Sequence, residues 1–593
     1  MILQALLDYY EELASQGKIA RPGWAKAKVS WALEIDEEGQ LLDVLPLRSP
    51  SPDGKKMLPR EMELPAQMKR SGKGAPAYYL CDNTKYIFGI EDARITEKSR
   101  KAFENFRNLH IQKLAAIENS MAKAIIAFAY RYTPEDFLSL KTVSDKHELL
   151  KGNENCVFIS TTGEFAQTIP DIAETVDEQS EEEIIGTCMV TGKQTGIARI
   201  HNSVKGPLGN SPNGWTLVSF DKDSFAYDSY GKKQGYNAPV SKYAAFAYTS
   251  ALNHLLSERE HVKVIGNTTV VYWAKSAESQ YQDVFAALYD CNDTIRNDEL
   301  NNLMRCIAGG IPYEFNGLPL KPENDFYILG LSPNAARLSV RFFYRRSFGE
   351  IVQNLKQHYD NIEVVSDGSK FDMIPLWALL RETTRYKKAD GTLIKPAPQP
   401  LPHLAGDVMK SVLSGCRYPE TLMNQTMLRI RAEHEINRGK AGIIKAYLIR
   451  NTENLPDRES IMEVAQVSLN TESSYTPYVL GRLFAVLESI QKAANPKIDT
   501  TIKDRYFSAA CATPAAAFPI LLRLSNSHLK KIKNTDAGKA IYWSKQIGEM
   551  IEHLGMSFPA HQTLQEQGAF ILGYYHQTQK HFEKKTNTDK EEE

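Results

Sequence analysis

Four prolines alternate with other residues in the segment GTLIKPAPQPLPHL, and this pattern restricts the possible folds more than any other feature of the chain. Each proline fixes its backbone φ angle and lacks an N–H group, so the segment cannot occupy a helix interior or a central strand. The pattern predicts a stiff, extended linker over residues 391–403. The chain is therefore expected to divide at this point. The prolines are Pro396, Pro398, Pro400 and Pro402.

The sequence patterns differ on the two sides of this linker. Residues 1–390 mix strand patterns, such as WTLVSF and a hairpin with its turn at Gly39, with helix patterns such as SKYAAFAYTSALNHLL, and a subdivision near 150–186 is possible. From 404 to 580 apolar residues recur at helical spacing, as in YVLGRLFAVLESIQ. The tail 581–593 is predicted to be disordered. The predicted fold class is α+β: an irregular mixed α/β N-terminal portion followed by an all-α helical bundle.

Two helix starts are marked in the bundle. Thr563 and Glu566 have the spacing of a capping box, in which each residue's side chain accepts from the other's backbone N–H. Thr513 followed by Pro514 predicts an N-cap and a first helical residue. Pro519 is then expected either to kink that helix or to begin a new one.

Length and composition limit the class of protein. A chain of 593 residues is too long for one compact core, so about two to four domains are expected. The seven cysteines are scattered without a CxxC pair, which argues against structural zinc and a disulfide framework. The segment MILQALLDYYEEL has no basic region before its apolar residues, so it is not expected to be a signal peptide. No apolar run reaches the roughly 18 residues of a bilayer span, so a cytoplasmic protein without membrane contact is expected.

Charge gives two further expectations. The formal net charge of −1 indicates that any contact with nucleic acid is local or shared with partners. The segment DIAETVDEQSEEE, residues 171–183, is strongly acidic and predicts a solvated helix face or a mobile insertion.

Two glycine-rich segments, KRSGKG and TGKQTG, resemble nucleotide phosphate loops but lack the required pattern. Such a loop needs Ser or Thr after its lysine, whereas glycine follows Lys73 and glutamine follows Lys193. Asp221 and Asp223 form a lone DxD pair, which is more typical of a turn than of a magnesium site. A metal-dependent hydrolase using dispersed acids such as Asp221, Asp223 and Asp228 stays open as an alternative, because sites assemble in space.

Three glycine-bearing loops combine cations with amide side chains: KRSGKG at 69–74, HNSVKGPLGNSPNG at 201–214 and SYGKKQGYN at 229–237. Glycine allows the backbone to approach a sugar–phosphate chain, and lysine or arginine neutralises phosphate. Amides can bond to base edges. The loops therefore predict DNA contacts, the alternative being solvated surface turns. The candidate residues are Lys69, Arg70, Lys73, Lys205, Asn210, Asn213, Lys232, Lys233, Gln234 and Asn237.

The strand pattern RLSVRFFYRR predicts a basic sheet face. Strict alternation would place Arg337, Arg341 and Arg345 on one face, with Phe343 among them. Guanidinium groups and an aromatic ring on one face suit the stacking of bases from RNA or single-stranded DNA. The alternative is a solvent face that pairs with acidic residues on neighbouring strands.

A basic stripe is predicted on one helix of the bundle. Its members are three or four residues apart, so they share a face opposite Leu522, Leu529 and Ile532. The stripe predicts a track for a displaced single strand of DNA, unless it is only the solvated side of an amphipathic helix. Its members are Arg523, Asn526, Lys530 and Lys533.

The segments that carry these features occur in a fixed order: KRSGKGAPAYYLCDN, TGKQTGIARIHNSVKGPLGNSPNGWTLVSF, SYGKKQGYNAPVSKYAAFAYTSALNHLL, GLSPNAARLSVRFFYRR, KDRYFSAACATPAAAFPILLRLSNSHLKK and FPAHQTLQEQGAFILGYYHQ. Together they resemble the large subunit of the type I-C CRISPR interference complex, the I-C form of Cascade, over nearly the whole chain. The resemblance implies an assembly in which a guide RNA reads the target by base pairing and the large subunit checks a short adjacent motif. It also implies no catalytic activity, and neither a cofactor nor a metal is expected.

The resemblance further implies the partners of the chain. These are the guide RNA, the target double-stranded DNA, the backbone and guide-processing subunits of Cascade, a small subunit and a helicase–nuclease that cuts the DNA. The large subunit is expected to promote duplex opening, stabilise the R-loop and help to recruit the helicase–nuclease. The small subunit corresponds to the C-terminal region made separately from an internal start, for which Met462 is a candidate.

Residue roles within that resemblance follow from side-chain chemistry. Lys69, Arg70 and Lys73 are expected to hold phosphates beside the adjacent motif, and Asn210 and Asn213 to approach its bases. The arginine strand is expected to face guide RNA or a neighbouring subunit. A scaffold that binds only protein partners is the remaining alternative.

Overall fold

The computed structural model describes residues 2–51, 56–66, 76–176, 184–206, 214–220, 227–229, 231–265, 267–290, 297–335, 337–365, 373–385, 392–395, 398–401, 403–555 and 557–580. Several predicted features lie outside these ranges: Lys69, Arg70, Lys73, Asn210, Asn213, Asp221, Asp223, residues 177–183 of the acidic segment and the tail 581–593. The chain forms two compact units. Unit 1 comprises Leu3–Asn202 and Ser219–Ala251, and unit 2 comprises Ser203–Val218 and Leu252–Glu593.

Unit 1 contains small sheets and the helices that pack on them. Its strands are β1 (Trp24–Val29), β2 (Trp31–Ile35), β3 (Leu41–Pro46), β4 (Arg48–Pro50), β5 (Met57–Pro65), β6 (Cys81–Asn83), β7 (Asn155–Ser160), β8 (Ile185–Thr187), β9 (Gln194–Gly196), β10 (Asp228–Ser229) and β11 (Lys232–Lys233). Its helices are α1 (Ile2–Ser15), α2 (Thr84–Phe88), α3 (Glu97–Leu114), α4 (Ser120–Arg131), α5 (Pro134–Ser139), α6 (Lys141–Ser144), α7 (His147–Leu150) and α8 (Pro170–Glu174). Helix α9 (Lys242–Ser257) begins in unit 1 and ends in unit 2.

The main sheet of unit 1 has the order β3-β2-β7-β6, and a second sheet has the order β1-β5-β4. The predicted hairpin is confirmed as β2 and β3, which pair antiparallel around Gly39 at φ +73°. Strand β2 also pairs parallel with β7, so it occupies the centre of the sheet and β3 the edge. Apolar side chains from this sheet and from α3 and α4 form the core, including Leu33, Phe106 and Phe158.

Unit 2 contains a main four-stranded antiparallel sheet, a separate two-stranded hairpin, and helices, most of which follow the strands in sequence. Its strands are β12 (Val262–Ile265), β13 (Thr268–Ala274), β14 (Tyr313–Phe315), β15 (Leu318–Leu320), β16 (Asp325–Asn334) and β17 (Arg337–Ser347). Its helices are α10 (Ser279–Asp290), α11 (Asn297–Ala308), α12 (Phe348–Ile362), α13 (Leu376–Arg381), α14 (Leu404–Ser414), α15 (Glu420–Glu433), α16 (Arg438–Asn451), α17 (Arg458–Val464), α18 (Thr476–Ala494), α19 (Ile502–Ala512), α20 (Pro514–Lys533), α21 (Ala537–Leu554) and α22 (Leu564–Lys580).

The sheet of unit 2 has the order β12-β13-β16-β17. Strand alternation turns Val270 and Tyr272 toward the helices, together with Phe326 and Ile328 of β16. The strand prediction for WTLVSF is wrong beyond its first two residues, because Trp215 and Thr216 form single β-bridges and residues 217–220 are in no strand. A lone bridge satisfies one or two backbone groups, which is less than a sheet ladder provides.

The apolar core of unit 2 is continuous across the Pro-rich segment. It runs from Ile265 at the end of β12 to Tyr575 of α22. The described residues 398–401 are in neither helix nor strand, as the alternating prolines predict. Along the sequence, the chain passes from one compact unit to the other after residues 202, 218 and 251, whereas the predicted boundary lies at 391–403. Two assignments stay predictions: adjacent-motif recognition and guide-end contact for residues 1–390, and a helical bundle, 404–580, that is small-subunit-like from about 462.

The C-terminal helices follow the sequence pattern closely. The capping box of α22 is confirmed: Thr563 N donates to Glu566 Oε2 at 2.6 Å, and Glu566 N donates to Thr563 Oγ1 at 3.3 Å. Pro514 is the first residue of α20, as predicted, but the Thr513 hydroxyl donates to Ala509 O at 3.1 Å and does not cap the helix. No new helix starts at Pro519, since α20 is continuous to Lys533.

The fold class is confirmed as α+β. About 52% of the residues are helical and 18% are in strands, with the strands concentrated in the mixed N-terminal region and the C-terminal region helical. In the ranges described above, no helix is both long and apolar enough to cross a membrane.

Candidate nucleic-acid interface

The second glycine-bearing loop is closed at its base by a β-bridge in unit 2. Val204 N donates to Trp215 O at 2.6 Å, and Trp215 N donates to Val204 O at 2.9 Å. Gly214 has φ +71°, and a Cβ atom there would lie 2.5 Å from Val204 O. Only glycine fits this close approach without displacing the bridge. The base of the loop is therefore fixed, with Lys205 exposed beside it.

One side chain of α9 clamps the same loop base. Asn253 Oδ1 accepts from Lys205 N at 2.7 Å, and Asn253 Nδ2 donates to Ser203 O at 3.2 Å. The two bonds satisfy a backbone donor and a backbone acceptor that the short bridge leaves unpaired. Sequence reasoning missed Asn253, because a helical asparagine 48 residues from its partner gives no local signal.

The loop joins the arginine strand. Thr216 forms a parallel bridge with Arg337, and Leu338 N donates to Thr216 O at 3.0 Å. The structure thus connects two elements that the sequence predicted separately, the Lys205 loop and β17. Arg337 is exposed, and its side chain forms no ion pair with any described residue.

The prediction that all three arginines share one face of β17 is wrong. Strand β17 has a β-bulge: Val340 pairs with Leu331, Phe342 pairs with Gly330, and Arg341 is the extra residue between them. One extra residue reverses the side to which the following side chains point. The cross-strand partners show the result, since Arg337 pairs with Asn334 and Arg345 pairs with Tyr327. These two partners are an odd number of positions apart on β16, so they point to opposite faces of the sheet.

Arg345 has partners on its own sheet face. Its Nη2 atom lies 2.9 Å from Asp325 Oδ2, and its guanidinium carbon lies 6.0 Å from the centre of the Tyr327 ring. Tyr327 in turn stacks between Phe343 at 6.1 Å and Trp273 at 5.2 Å. Phe343 therefore accompanies Arg345 and not Arg337, and the charge of Arg345 is partly neutralised by Asp325.

The third loop forms a small hairpin in unit 1. Ser229 pairs with Lys232, and Asp228 pairs with Lys233. Both lysines are exposed. Gln234 is half-buried, and its backbone has φ +52°. The two lysines are therefore accessible to a ligand.

Asn237 is not available to read base edges. Its Nδ2 atom donates to backbone oxygens of Tyr227, Lys232 and Gln234 at 3.0–3.3 Å. Its Oδ1 atom accepts from Ser229 Oγ at 3.1 Å. The amide is used within the protein, and this corrects the expectation that it bonds to bases.

The histidine that begins the second loop is likewise structural. His201 is buried, and its Nδ1 atom lies 2.7 Å from Tyr248 Oη in unit 1. Burial lowers the pKa of His201 to about 4, so the ring is neutral at physiological pH. Cationic chemistry in this loop therefore comes from Lys205.

The basic stripe of α20 is exposed as predicted. Arg523, Asn526, Lys530 and Lys533 all lie on the solvent side, and Leu522, Leu529 and Ile532 turn toward the core. The neighbouring Lys531 differs from the stripe, because its Nζ atom donates to Asn495 Oδ1 at 2.7 Å. Within the described residues, the four stripe side chains form no such bond or ion pair.

The segment TGKQTG is a hairpin turn. Gly192, at φ +72°, lies between β8 and β9, which pair antiparallel. A phosphate loop leads from a strand into a helix, and this turn leads from one strand into another. The local structure therefore agrees with the conclusion that TGKQTG is not a phosphate loop. Among the residues that the structure describes, no three His, Cys, Asp or Glu side chains are grouped closely enough to hold a metal ion.

A comparison with protein families gives a match. A family model described as CRISPR-associated protein (Cas_Csd1) matches residues 6–582, which is nearly the whole chain. A search of curated proteins finds no match.

Proposed function

The chain belongs to the Cas_Csd1 family of CRISPR-associated proteins, and from this premise we propose that it is the large subunit of a type I-C RNA-guided surveillance complex. In this proposal the guide RNA reads the target by base pairing, and the chain binds the duplex at a short adjacent motif. The chain then promotes duplex opening, stabilises the R-loop and helps to recruit a separate helicase–nuclease.

The junction between the second loop and β17 carries this proposal. Lys205 and Arg337 are exposed cations on one backbone framework, because Val204 pairs with Trp215 and Thr216 pairs with Arg337. Neither cation forms an ion pair with a described residue, so both charges are available for phosphate. A rigid pair of free cations beside a glycine-bearing loop is the arrangement that fits a nucleic-acid backbone.

The remaining loop residues are assigned from sequence and chemistry. Lys69, Arg70 and Lys73 would neutralise phosphates beside the adjacent motif, and Asn210 and Asn213 would contact its bases. Lys232, Lys233 and Gln234 would extend the DNA contacts. The exposure of Lys232 and Lys233 supports the proposed DNA contacts of these two lysines.

The C-terminal helices would bind the displaced single strand of DNA. The stripe is exposed along about three turns of α20, and its cations form no ion pair with a carboxylate of the described residues. A separate small subunit starting at Met462 would begin inside α17 and contain all of α18–α22. Helices α18 and α22 pack closely against each other at Gly481 and Gly573, and both helices lie within the region that begins at Met462. This internal packing supports such a product.

The RNA that co-purifies with the chain tests the proposal that it is a subunit of an RNA-guided complex. Purification of the assembly through a tagged neighbouring subunit, followed by sequencing of bound RNA, is expected to yield guide-like RNA of uniform length. Heterogeneous RNA, or none, would contradict the proposal. Mass spectrometry of the same sample is expected to show a second, shorter product of the C-terminal region beside the full-length chain.

The absence of catalysis is part of the proposal. Purified chain incubated with labelled DNA or RNA and Mg²⁺ or Mn²⁺ is expected to leave the nucleic acid intact. Metal-dependent cleavage that disappears on Asp228→Ala would favour the hydrolase alternative. An assembly whose nucleic-acid affinity is unaffected by every substitution in this chain would instead indicate a protein-binding scaffold.

A further inference from the structure

A cavity of about 610 Å³ lies in unit 2 between β17, the β12–β13 turn, the Pro-rich segment and the start of α14. Its volume falls in the range of about 300–1,000 Å³ that is usual for sites holding one small molecule. Arg341, Phe342 and Tyr344 form one wall, Asp407 and Lys410 form another, and Asn267 lies at the turn. Of these residues, Arg341 is the one that is among the contact residues predicted above, as an arginine of β17.

The β-bulge lies in this wall of the cavity. Four consecutive residues of β17, from Arg341 to Tyr344, line the cavity, and Arg341 is the extra residue of the bulge. Bulges commonly redirect a side chain next to a functional site. Gly330 opposite Phe342 makes room for the ring, since a Cβ atom there would lie 2.6 Å from the ring carbons. A β-bulge and a glycine on the partner strand therefore both lie at the wall that contains Arg341 and Phe342.

The charges of the cavity favour an anion. Arg341 and Lys410 are exposed cations, and among the described lining residues Asp407 is the one Asp or Glu. Arg341 Nη2 donates to Ser332 Oγ at 3.3 Å, which leaves its other N–H groups for a ligand. Lys410 forms no ion pair within the part of the chain that the structure describes. Among the described lining residues, the Lys and Arg side chains outnumber the Asp and Glu side chains by one.

The aromatic side chains supply a stacking surface. The rings of Phe342 and Tyr344 are stacked at 5.4 Å with an interplanar angle of 26°, and both are half-buried. Burial, with a smaller contribution from the Asp407 carboxylate, raises the pKa of Tyr344 to about 12, so its hydroxyl is a donor at neutral pH. Asn267 and Gln399 place two amides at the same cavity, and amides match the donor and acceptor pattern of base edges.

We propose that this cavity binds one unstacked nucleotide of a single strand, with the base against Phe342 and Tyr344 and the phosphate between Arg341 and Lys410. The cavity is too small for a duplex, and its combination of aromatic wall, amides and paired cations suits a splayed-out base more than an acidic peptide. The proposal deepens the proposed nucleic-acid function, on which it rests, by adding a site for a single nucleotide. The strand is either RNA or DNA, and the two sources are separated by the test.

Gly406 of α14 gives a variant that fills the cavity without removing a charge. It lines the cavity, and a Cβ atom there would meet only Phe342 Cε1, at 4.0 Å, so a larger side chain projects into open space. Gly406→Leu is expected to exclude the base and to leave the helix intact, because glycine is the poorer helix former. Gly548→Leu on α21 is the matched control, since no atom lies within 4 Å of its added Cβ.

The measurement uses the full-length chain with fluorescent ten-nucleotide oligomers of RNA and of DNA, with and without 4-thio-substituted bases for photocrosslinking. Gly406→Leu is expected to weaken binding of one oligomer about tenfold or more, the range for one stacked base. The same variant should lose the crosslink to the peptide that contains Phe342 and Tyr344. Loss for RNA alone assigns the site to the guide, and loss for DNA alone assigns it to a target strand. Gly548→Leu is expected to match the unaltered chain.

Lys410→Ala supplies a second variant at an exposed position, where misfolding is not expected. It should weaken the same oligomer and reduce the salt dependence of its binding by about 0.7 in slope. The proposal is overturned if Gly406→Leu, with an unchanged melting temperature, binds both oligomers and crosslinks as before. It is also overturned if decaglutamate displaces the oligomer as well as adenosine monophosphate does. Duplex binding through Lys205 and Arg337 would survive either result, so failure here is distinguishable from failure of the proposed function.

Discussion

Thr216 and Arg337 form a parallel β-bridge, which attaches the base of a glycine-bearing loop to the edge of the arginine strand. The two residues are 121 positions apart, and their pairing is reinforced by the bond from Leu338 N to Thr216 O. Through this bridge a cation on the loop and a cation on the strand belong to one rigid element. Rigid placement reduces the entropy lost when a ligand binds.

The loop clamp provides the first prediction. Asn253→Ala removes the acceptor for Lys205 N and the donor to Ser203 O, and should lower the free energy of local unfolding by about 1–2 kcal/mol. Duplex affinity should fall while the salt dependence of binding stays the same, because Lys205 keeps its charge. Amide hydrogen exchange at Lys205 measures the first effect. Asn253→Asp, which keeps the acceptor, is the control and should exchange more slowly than Asn253→Ala.

The α20 stripe provides the second prediction. Replacing Lys530 and Lys533 with alanine should weaken the binding of single-stranded DNA and lower its salt slope by about 0.7 per lost phosphate contact. Lys531→Ala is the matched control, because that side chain already donates to Asn495. Titrations at several salt concentrations check both. An equal effect of Lys531→Ala would show that general charge matters and the stripe does not.

Helix packing provides the third prediction. Helices α18 and α22 approach through two glycines: a Cβ atom on Gly481 would lie 1.9 Å from Phe570 O, and one on Gly573 would lie 2.1 Å from Tyr478 O. Gly481→Ala or Gly573→Ala must therefore separate the helices, and we expect a loss of about 3 kcal/mol in the stability of the helical region.

Gly548→Ala on α21 tests this argument with the same chemical change. Its added methyl group meets no atom within 4 Å, so the substitution should stabilise the helix by about 0.5–1 kcal/mol. Chemical denaturation followed by circular dichroism at 222 nm is the measurement. Equal behaviour of the three variants would contradict the packing argument.

His261 provides a pH-dependent prediction. Burial alone would lower its pKa, but hydrogen bonds to Asp283 at 2.7 Å and Glu258 at 3.2 Å outweigh burial and raise the pKa to about 9. The folded state therefore favours the protonated ring. Its stabilisation is full below pH 6.5, the ordinary pKa, and is lost as the pH rises through 9.

The stability difference between the unaltered chain and His261→Gln should accordingly be largest near pH 6 and should shrink toward pH 9.5. Thermal unfolding across this pH range measures the difference. The control is His147→Gln, which replaces an exposed histidine of α7 that has no carboxylate partner among the described residues. A difference that stays constant with pH would mean that the ion pairs do not stabilise the fold.

Local patterns explain which parts of the fold the sequence predicts. The β2–β3 hairpin and the capping box at Thr563 depend on residues within a few positions of one another, so their spacing is visible in the sequence. The helices of the C-terminal region are also visible, because their apolar residues repeat at the helical period.

The features that sequence missed depend on contacts between distant segments. The bulge at Arg341 breaks the alternation on which the one-face prediction for the arginines relied, and no residue in RLSVRFFYRR marks it. Gly330, on the partner strand, is the one indirect signal, because Phe342 lies over it. The Asn253 clamp and the Thr216–Arg337 bridge likewise join segments far apart in sequence.

The salt dependence of target binding tests the central claim most directly. With the assembled complex and a target duplex, Lys205→Ala combined with Arg337→Ala should lower affinity and reduce the slope of log affinity against log salt by about 0.9 for each lost contact. The control replaces Lys123 and Lys356, two lysines that already pair with Glu118 and Asp360 at 2.6 Å. The account predicts a changed slope for the first pair and an unchanged slope for the control. Identical slopes for both double variants would contradict it.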